Sequence, residues 1–215
     1  MKRVVVIGLG IFGSQLVRQL YEKGIEVIAI DKNRDVVQRI KDHSTKAVMA
    51  DATDKEVLES IGIAAGDTVV ISFGEDLSAS TLLTLYLKEM QVREIIVKVP
   101  NEDYKRILLK VGASEAIIPE REMANKVARS IISPNVLEYL PISEDYTICE
   151  LAPPTAFIGK SLAELDLRKR YQLQVIAIRD VLSESLQLVP RASSVIKDSD
   201  VLVIVGREDD IQKVK

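Results

Sequence analysis

Apolar residues along the first half of this chain fall into short, unbroken, β-branched runs that alternate with stretches of helical spacing. Residues 4–7 (VVVI), 26–30 (EVIAI), 47–50, 68–72 (TVVIS), 94–99 (EIIVKV) and 116–118 read as strands. Continuous apolar runs of this length suit central parallel strands buried on both faces. Between them Leu16, Val17 and Leu20, then Val36, Val37 and Ile40, then Val57, Leu58 and Ile61 recur at helical spacing. Residues 77–90 form a long apolar helix, and Ile107, Leu108 and Val111 mark a further one. The connections are short, so the repeated β-α alternation predicts a parallel sheet with helices on both faces. About six strands in about 118 residues fall well short of a (β/α)₈ barrel of ~250 residues, and an open, doubly wound, Rossmann-like sheet fits.

Pro119 starts a different element. Met123, Val127 and Ile131, with Ala124 and Ala128, make one apolar helical stripe. Pro134 lacks an N–H and restricts Ser133, which places a helix end or kink there. Val136, Leu137 and Leu140 continue the pattern, so residues 119–140 are expected to form a connecting helix pair or one kinked helix. Beyond Pro141 the grammar changes. Residues 146–151 alternate as a half-buried strand does. Residues 173–179, 186–189 and 201–205 are further strands, with a short helix after Ser161 and a terminal helix from Asp209. The expected organisation is a Rossmann-like domain over 1–118, a connecting helix over 119–140 and a small α+β domain over 141–215. A domain of that size is marginal alone and is expected to dimerise or dock.

The first loop carries the chemistry. Gly8-x-Gly10-x-x-Gly13 lies between a strand and a helix, the setting a dinucleotide-binding loop requires. Gly8 allows the tight turn, Gly10 removes a side chain where a pyrophosphate approaches, and Gly13 permits close helix packing. The N–H groups of Ile11, Phe12 and Gly13 and the helix dipole would face the anion. Asp31 ends the second strand, where a carboxylate can accept from both ribose hydroxyls and repel a 2′-phosphate; Lys32 follows it. Asp51, Ala52 and Thr53 end the third strand near the expected adenine. Asp51 has two readings, ligand contact and helix cap, whereas Asp54 reads as a cap.

Composition narrows the chemistry further. Net charge is −3 over 215 residues, which argues against a nucleic-acid partner. The basic run Arg168-Lys169-Arg170 is a local exception. One cysteine, Cys149, excludes an intrachain disulfide and fits a cytosolic compartment. No leader is expected before Val4, and no apolar run approaches the ~20 residues that span a bilayer. A dehydrogenase of this fold needs an acid or base near the nicotinamide. The only histidine, His43, lies near a helix end, and Cys149 sits in an alternating strand as a small core residue. Neither a Gly-x-Ser-x-Gly elbow nor a Walker A lysine is present. A sensing role is therefore favoured over hydrolysis or hydride transfer.

VVVIGLGIFG, VIAID, MADATD, SASTLLTLYLKEM, IIVKVPN and VGASEAIIPEREMANKVA together resemble the RCK (KTN) domain. DLRKRYQLQVIAIR and VLVIVGREDDI resemble its RCK-C companion. The resemblance covers essentially the whole chain and implies a cytosolic gating subunit of a Ktr/Trk-type potassium uptake system. A single RCK-N/RCK-C pair fits the Ktr type. It implies homodimers assembled into an octameric ring on an integral-membrane potassium-translocating subunit, with the helices over 77–90 and 119–140 supplying dimer contacts. It also implies that ADP, ATP, AMP or NAD(H) is held by Gly8, Gly10, Gly13, Asp31 and Asp51, with Lys98 and Glu120 near the phosphates. Glu120 could share a divalent cation with them. In some relatives a C-terminal groove binds cyclic di-AMP; here Arg168, Tyr171, Ile176, Ile178 and Pro190 would line it. Ile11 stands where many relatives carry an arginine or other polar residue, which favours AMP, ADP or NAD(H) over ATP. The competing expectations are a small NAD-dependent oxidoreductase and a nucleotide-binding regulator without a channel partner.

Overall fold

The computed structural model describes residues 3–73, 76–143 and 145–214. The chain divides into two compact units, Met1–Glu122 and Met123–Lys215.

The first unit alternates strictly. Strands β1 (Arg3–Ile7), β2 (Glu26–Asp31), β3 (Lys46–Met49), β4 (Thr68–Ile71), β5 (Glu94–Lys98) and β6 (Glu115–Ile117) are separated by helices. These are α1 (Ile11–Glu22), α2 (Arg34–Ile40), α3 (Lys55–Ile61), α4 (Leu77–Glu89) and α5 (Glu102–Val111). The strand order is β3-β2-β1-β4-β5-β6, and every neighbouring pair is parallel. The order reverses beside β1, so the crevice beyond the carboxyl ends of β1 and β4 is the switch point at which such sheets bind ligands. Both faces of the sheet are covered. Val5, Ile7, Ile30 and Ile71 pack with Leu58, Leu83 and Leu108. On the other face Val4, Val6, Val27 and Ala29 pack with Val17 and Ile40. That two-sided burial is why the middle of each long strand is apolar on both faces, with polar residues such as Arg3, Glu26, Asp31 and Glu94 at the ends.

At the opposite end of the sheet an ion pair fastens β1. Asp67 Oδ1 accepts from Arg3 Nε at 2.9 Å, and Oδ2 accepts from Arg3 Nη2 at 2.6 Å and from the Ala64 N–H at 2.7 Å. Arg3 Nη2 also donates to the Gly62 carbonyl.

Helix α6 (Pro119–Ile132) follows β6. The sequence pattern predicted helix through residue 140, and the structure corrects this. The helix ends before Pro134, and Val136–Pro141 is a strand, β7. Met123, Val127 and Ile131 do form one stripe on α6, and all three are exposed.

In the second unit β7 joins β8 (Tyr146–Leu151), β9 (Gln174–Asp180), β10 (Ser185–Leu188) and β11 (Asp200–Arg207) in an antiparallel sheet of order β10-β9-β11-β8-β7. Short helices α7 (Leu162–Leu165), α8 (Leu167–Tyr171) and α9 (Glu208–Ile211) accompany it. Leu165, Leu167 and Ile211 belong to one buried core with Cys149, Leu151, Leu202 and Ile204. Ser161 and Glu164 form a capping box that starts α7.

Candidate functional site

The loop between β1 and α1 is built by its neighbours. Gly8 has φ +90°, a conformation that favours glycine, and a Cβ there would press on Phe73. The Gly8 N–H donates to the Ile30 carbonyl at 2.8 Å, and its carbonyl accepts from the Ser72 hydroxyl. A Cβ on Gly13 would run into that same carbonyl and hydroxyl, so Gly13 makes room for the loop as well as for the helix. Gly10 differs: open space surrounds its missing Cβ. No protein neighbour forbids a side chain there, which fits a position kept bare on the solvent side.

Helix α1 begins without a side-chain cap, whereas α2, α3, α4 and α5 are capped by Asn33, Asp54, Asp76 and Asn101. Its first N–H groups are left to an external acceptor. Ile11 opens the helix with 91% of its surface exposed. The Phe12 side chain turns inward against the α1–α2 core, so only its backbone suits an anion.

Asp31 anchors the loop at the end of β2. Its Oδ2 accepts the Leu9 N–H at 2.6 Å, and its Oδ1 accepts the Asn33 N–H at 2.8 Å. Each carboxylate oxygen retains acceptor capacity, so the residue can hold the loop and a ribose diol together. Asp51 Oδ1 accepts from the Thr53 N–H at 3.0 Å and the Thr53 hydroxyl at 2.7 Å. Those bonds, helped by Lys32, hold its carboxyl below the usual aspartate value. Asp54 caps α3 through the Glu56 N–H, as its position predicts.

These residues meet in one cavity of about 380 Å³ at the switch point, within the range of small-molecule sites. Gly8, Asp31, Lys32, Asp51, Ala52 and Thr53 line it, as do Ile7, Ile30 and Ala50. The structure adds Phe73, Asp76 and Ala79 from the segment after β4 and the start of α4. Gly10, Ile11, Phe12 and Gly13 lie outside the cavity lining, as do Lys98 and Glu120. Lys98 instead pairs with Glu120 at 2.6 Å, and the lysine lowers the carboxyl's pKa. Among the described residues no cluster of three or more His, Cys, Asp or Glu is placed to hold a metal ion.

His43 lies in a short turn, Lys41–His43, and Cys149 is buried in the second unit; neither lines the cavity. Desolvation pushes the Cys149 thiol up to about 12. In the second unit Arg168 is exposed, and Tyr171, Ile176 and Pro190 are half-buried. The Val189 N–H donates to the Ile176 carbonyl, which brings Pro190 alongside Ile176. Ile178 does not join them. It is buried in the core of its unit, on the face of β9 that packs with Leu202 and Cys149, and cannot line a groove. Among the described residues no helix is long and apolar enough to cross a membrane.

Comparison with known proteins fits this geometry. Residues 4–119 match the TrkA-N domain and residues 147–215 the TrkA-C domain. The chain is 37% identical over 212 residues to Ktr system potassium uptake protein C of Bacillus subtilis, covering 99% of this chain and 95% of that one. It is 32% identical over 208 residues to Ktr system potassium uptake protein A of Vibrio alginolyticus, covering 97% and 94%. Among solved structures, the GsuK RCK domain superimposes with a TM-score of 0.63 at 20% identity, over 98% of this chain and 46% of that one. The GsuK channel bound to NAD gives the same TM-score and identity, over 98% and 38%. GsuK bound to ADP gives a TM-score of 0.53 at 17% identity, over 60% and 34%. The chain therefore belongs to the family of TrkA-N/TrkA-C proteins that includes the Ktr potassium uptake proteins.

Proposed function

We propose that this chain is a cytoplasmic, nucleotide-sensing regulatory subunit of a potassium uptake system and not an enzyme. One observation carries the reading. The cavity joins Gly8, at the start of the glycine loop, to Asp31 and Asp51 in a chain 37% identical, over nearly its whole length, to a Ktr potassium uptake protein. An adenine would lie against Ala50–Thr53, its ribose on Asp31 and a pyrophosphate on the uncapped start of α1. Among the described residues the lining holds three carboxylates, Asp31, Asp51 and Asp76, and one cation, Lys32. That balance, with an aliphatic Ile11 at the helix mouth, supports AMP, ADP or NAD(H) over ATP. Glu120 alone, already held by Lys98, is not a cation cage. A divalent ion there would need oxygens from bound phosphates.

The exposed stripe of Met123, Val127 and Ile131, with Leu82 and Leu85 outward on α4, supports homodimers built into a ring, octameric in our reading. The ring would dock on an integral-membrane potassium-translocating subunit. Ligand gates such a ring only through unequal affinity for its states, and a tenfold bias per site needs about 1.4 kcal/mol. A cyclic di-AMP groove in the second unit would use Arg168, Tyr171, Ile176 and Pro190.

The test begins with mass spectrometry of small molecules released from the gently purified, denatured chain. Potassium flux through vesicles carrying the membrane partner follows, with and without the released compound. Flux that changes with the ligand, and stops changing in Asp31→Ala, supports the reading. Hydride transfer from bound NADH to any acceptor would replace it with an oxidoreductase.

A further inference from the structure

We infer that Ser72 is a positioning residue that sets the phosphate-facing loop, residues 8–13, in its binding conformation. The inference rests on the nucleotide reading of the cavity.

Ser72 directly follows β4 and extends the ladder by one step, its N–H donating to the Ile7 carbonyl at 2.8 Å. This places the side chain in the interior, 8% exposed, and its hydroxyl donates to the Gly8 carbonyl. The Gly8 N–H is already bonded to Ile30 on β2. The two polar groups of Gly8 are thus fixed to the two strands that flank β1. The next residue is tied in the same way. Leu9 donates its N–H to Asp31 and its carbonyl accepts from the Ser14 hydroxyl at 2.7 Å. With these carbonyls turned inward, the free N–H groups at the start of α1 are what the loop presents outward.

Gly8 is the weak point of this arrangement. A glycine at positive φ rotates freely. Rotation of the Gly8–Leu9 peptide would swing the carbonyl outward and withdraw the Leu9 N–H from Asp31. A phosphate would then meet an oxygen, while Asp31 keeps its Asn33 anchor beside the ribose. A serine hydroxyl has one proton, and here it is spent on the Gly8 carbonyl. Removing it leaves a buried acceptor without its donor and removes one of the two hydrogen bonds that restrain that rotation, the other being Leu9 N–H to Asp31.

The experiment compares the full chain with Ser72→Ala, and with Ser72→Cys, which keeps the shape but donates weakly. ADP and adenosine are titrated against each, and amide hydrogen exchange is followed without ligand. The expected result is an about tenfold or larger loss of ADP affinity, with adenosine affinity nearly unchanged. Amides of residues 8–14 should exchange faster, while those of residues 4–7 keep their protection. Unchanged ADP affinity, or equal losses for ADP and adenosine, would overturn the assignment. Wild-type chain that binds neither compound would refute the nucleotide reading itself; exchange in the loop then decides alone whether Ser72 holds it.

Discussion

Replacing Asp31 by alanine separates two jobs that the geometry gives to one carboxylate. The side chain accepts the Leu9 and Asn33 N–H groups at 2.6 and 2.8 Å, and in our reading it also accepts both ribose hydroxyls. A hydrogen bond to a charged group contributes about 1.5–3 kcal/mol. Asp31 is only part-buried, so the lower end applies, and two ribose bonds contribute about 3 kcal/mol. Each 1.4 kcal/mol is tenfold in affinity, so Asp31→Ala should weaken ADP by roughly 100-fold. Loss of the Leu9 anchor should add a smaller term that does not depend on the ribose. Calorimetric titration with ADP and 2′,3′-dideoxy-ADP closes the cycle. If Asp31 reads the diol, the dideoxy ligand is penalised in wild type and hardly at all in Asp31→Ala. Equal penalties in both proteins would show that the carboxylate only shapes the loop.

Three further outcomes follow from the geometry. Gly13→Ala forces a methyl group into the Gly8 carbonyl, so the helix must shift; we expect about 1–3 kcal/mol lower stability by denaturant titration and no measurable nucleotide binding. Asp67→Ala strands Arg3 and the Ala64 N–H, and should cost about 2–4 kcal/mol by chemical denaturation while ADP affinity of the folded fraction is kept. Cys149, raised to about 12 by burial, should resist alkylation at pH 8 and react promptly in denaturant. Its folded pKa exceeds the unfolded value of 9.0, so its neutral burial favours folding fully below pH 9, and that contribution is lost as pH climbs toward 12.

The first unit was legible because its strands are buried on both faces, which leaves unbroken apolar runs between punctuating glycines and caps. β7 was not, for a specific reason. Its register shifts between Val136 and Glu138, so the inward residues are Val136 and Tyr139. Leu137 and Leu140, which carried the helical pattern with Val136, are exposed, and a bulge that spaces core residues by three hides the strand alternation. Gly8, Asp31 and Asp51 announced themselves through spacing and strand ends. Phe73, Asp76 and Ala79 could not, because a phenylalanine, a capping aspartate and a helical alanine carry no binding pattern of their own and reach the cavity only through the fold. Ser72 read as the last residue of a strand, and only the fold shows what lies 64 positions earlier in the chain, across from its hydroxyl. Ile178 failed as a groove residue because the β9–β11 ladder shifts register at Val203/Ile204, which skips Ile176 and turns Ile178 to the core face with Val175.

The Ser72–Gly8 link also orders events in time. Closing a long loop is entropically unfavourable until the contacts it permits are made, and parallel pairing is correspondingly slow. β1 is synthesised first, yet it stands between β2 and β4, and it pairs with β4 across more than sixty intervening residues. The glycine loop leaves the ribosome before β4 does but gains its last internal anchor only when β4 docks. Affinity for the ligand is therefore acquired late, after the sheet has chosen its order. A nucleotide that binds only the docked sheet would favour completed chains over nascent ones and draw the slowest pairing step toward the native arrangement.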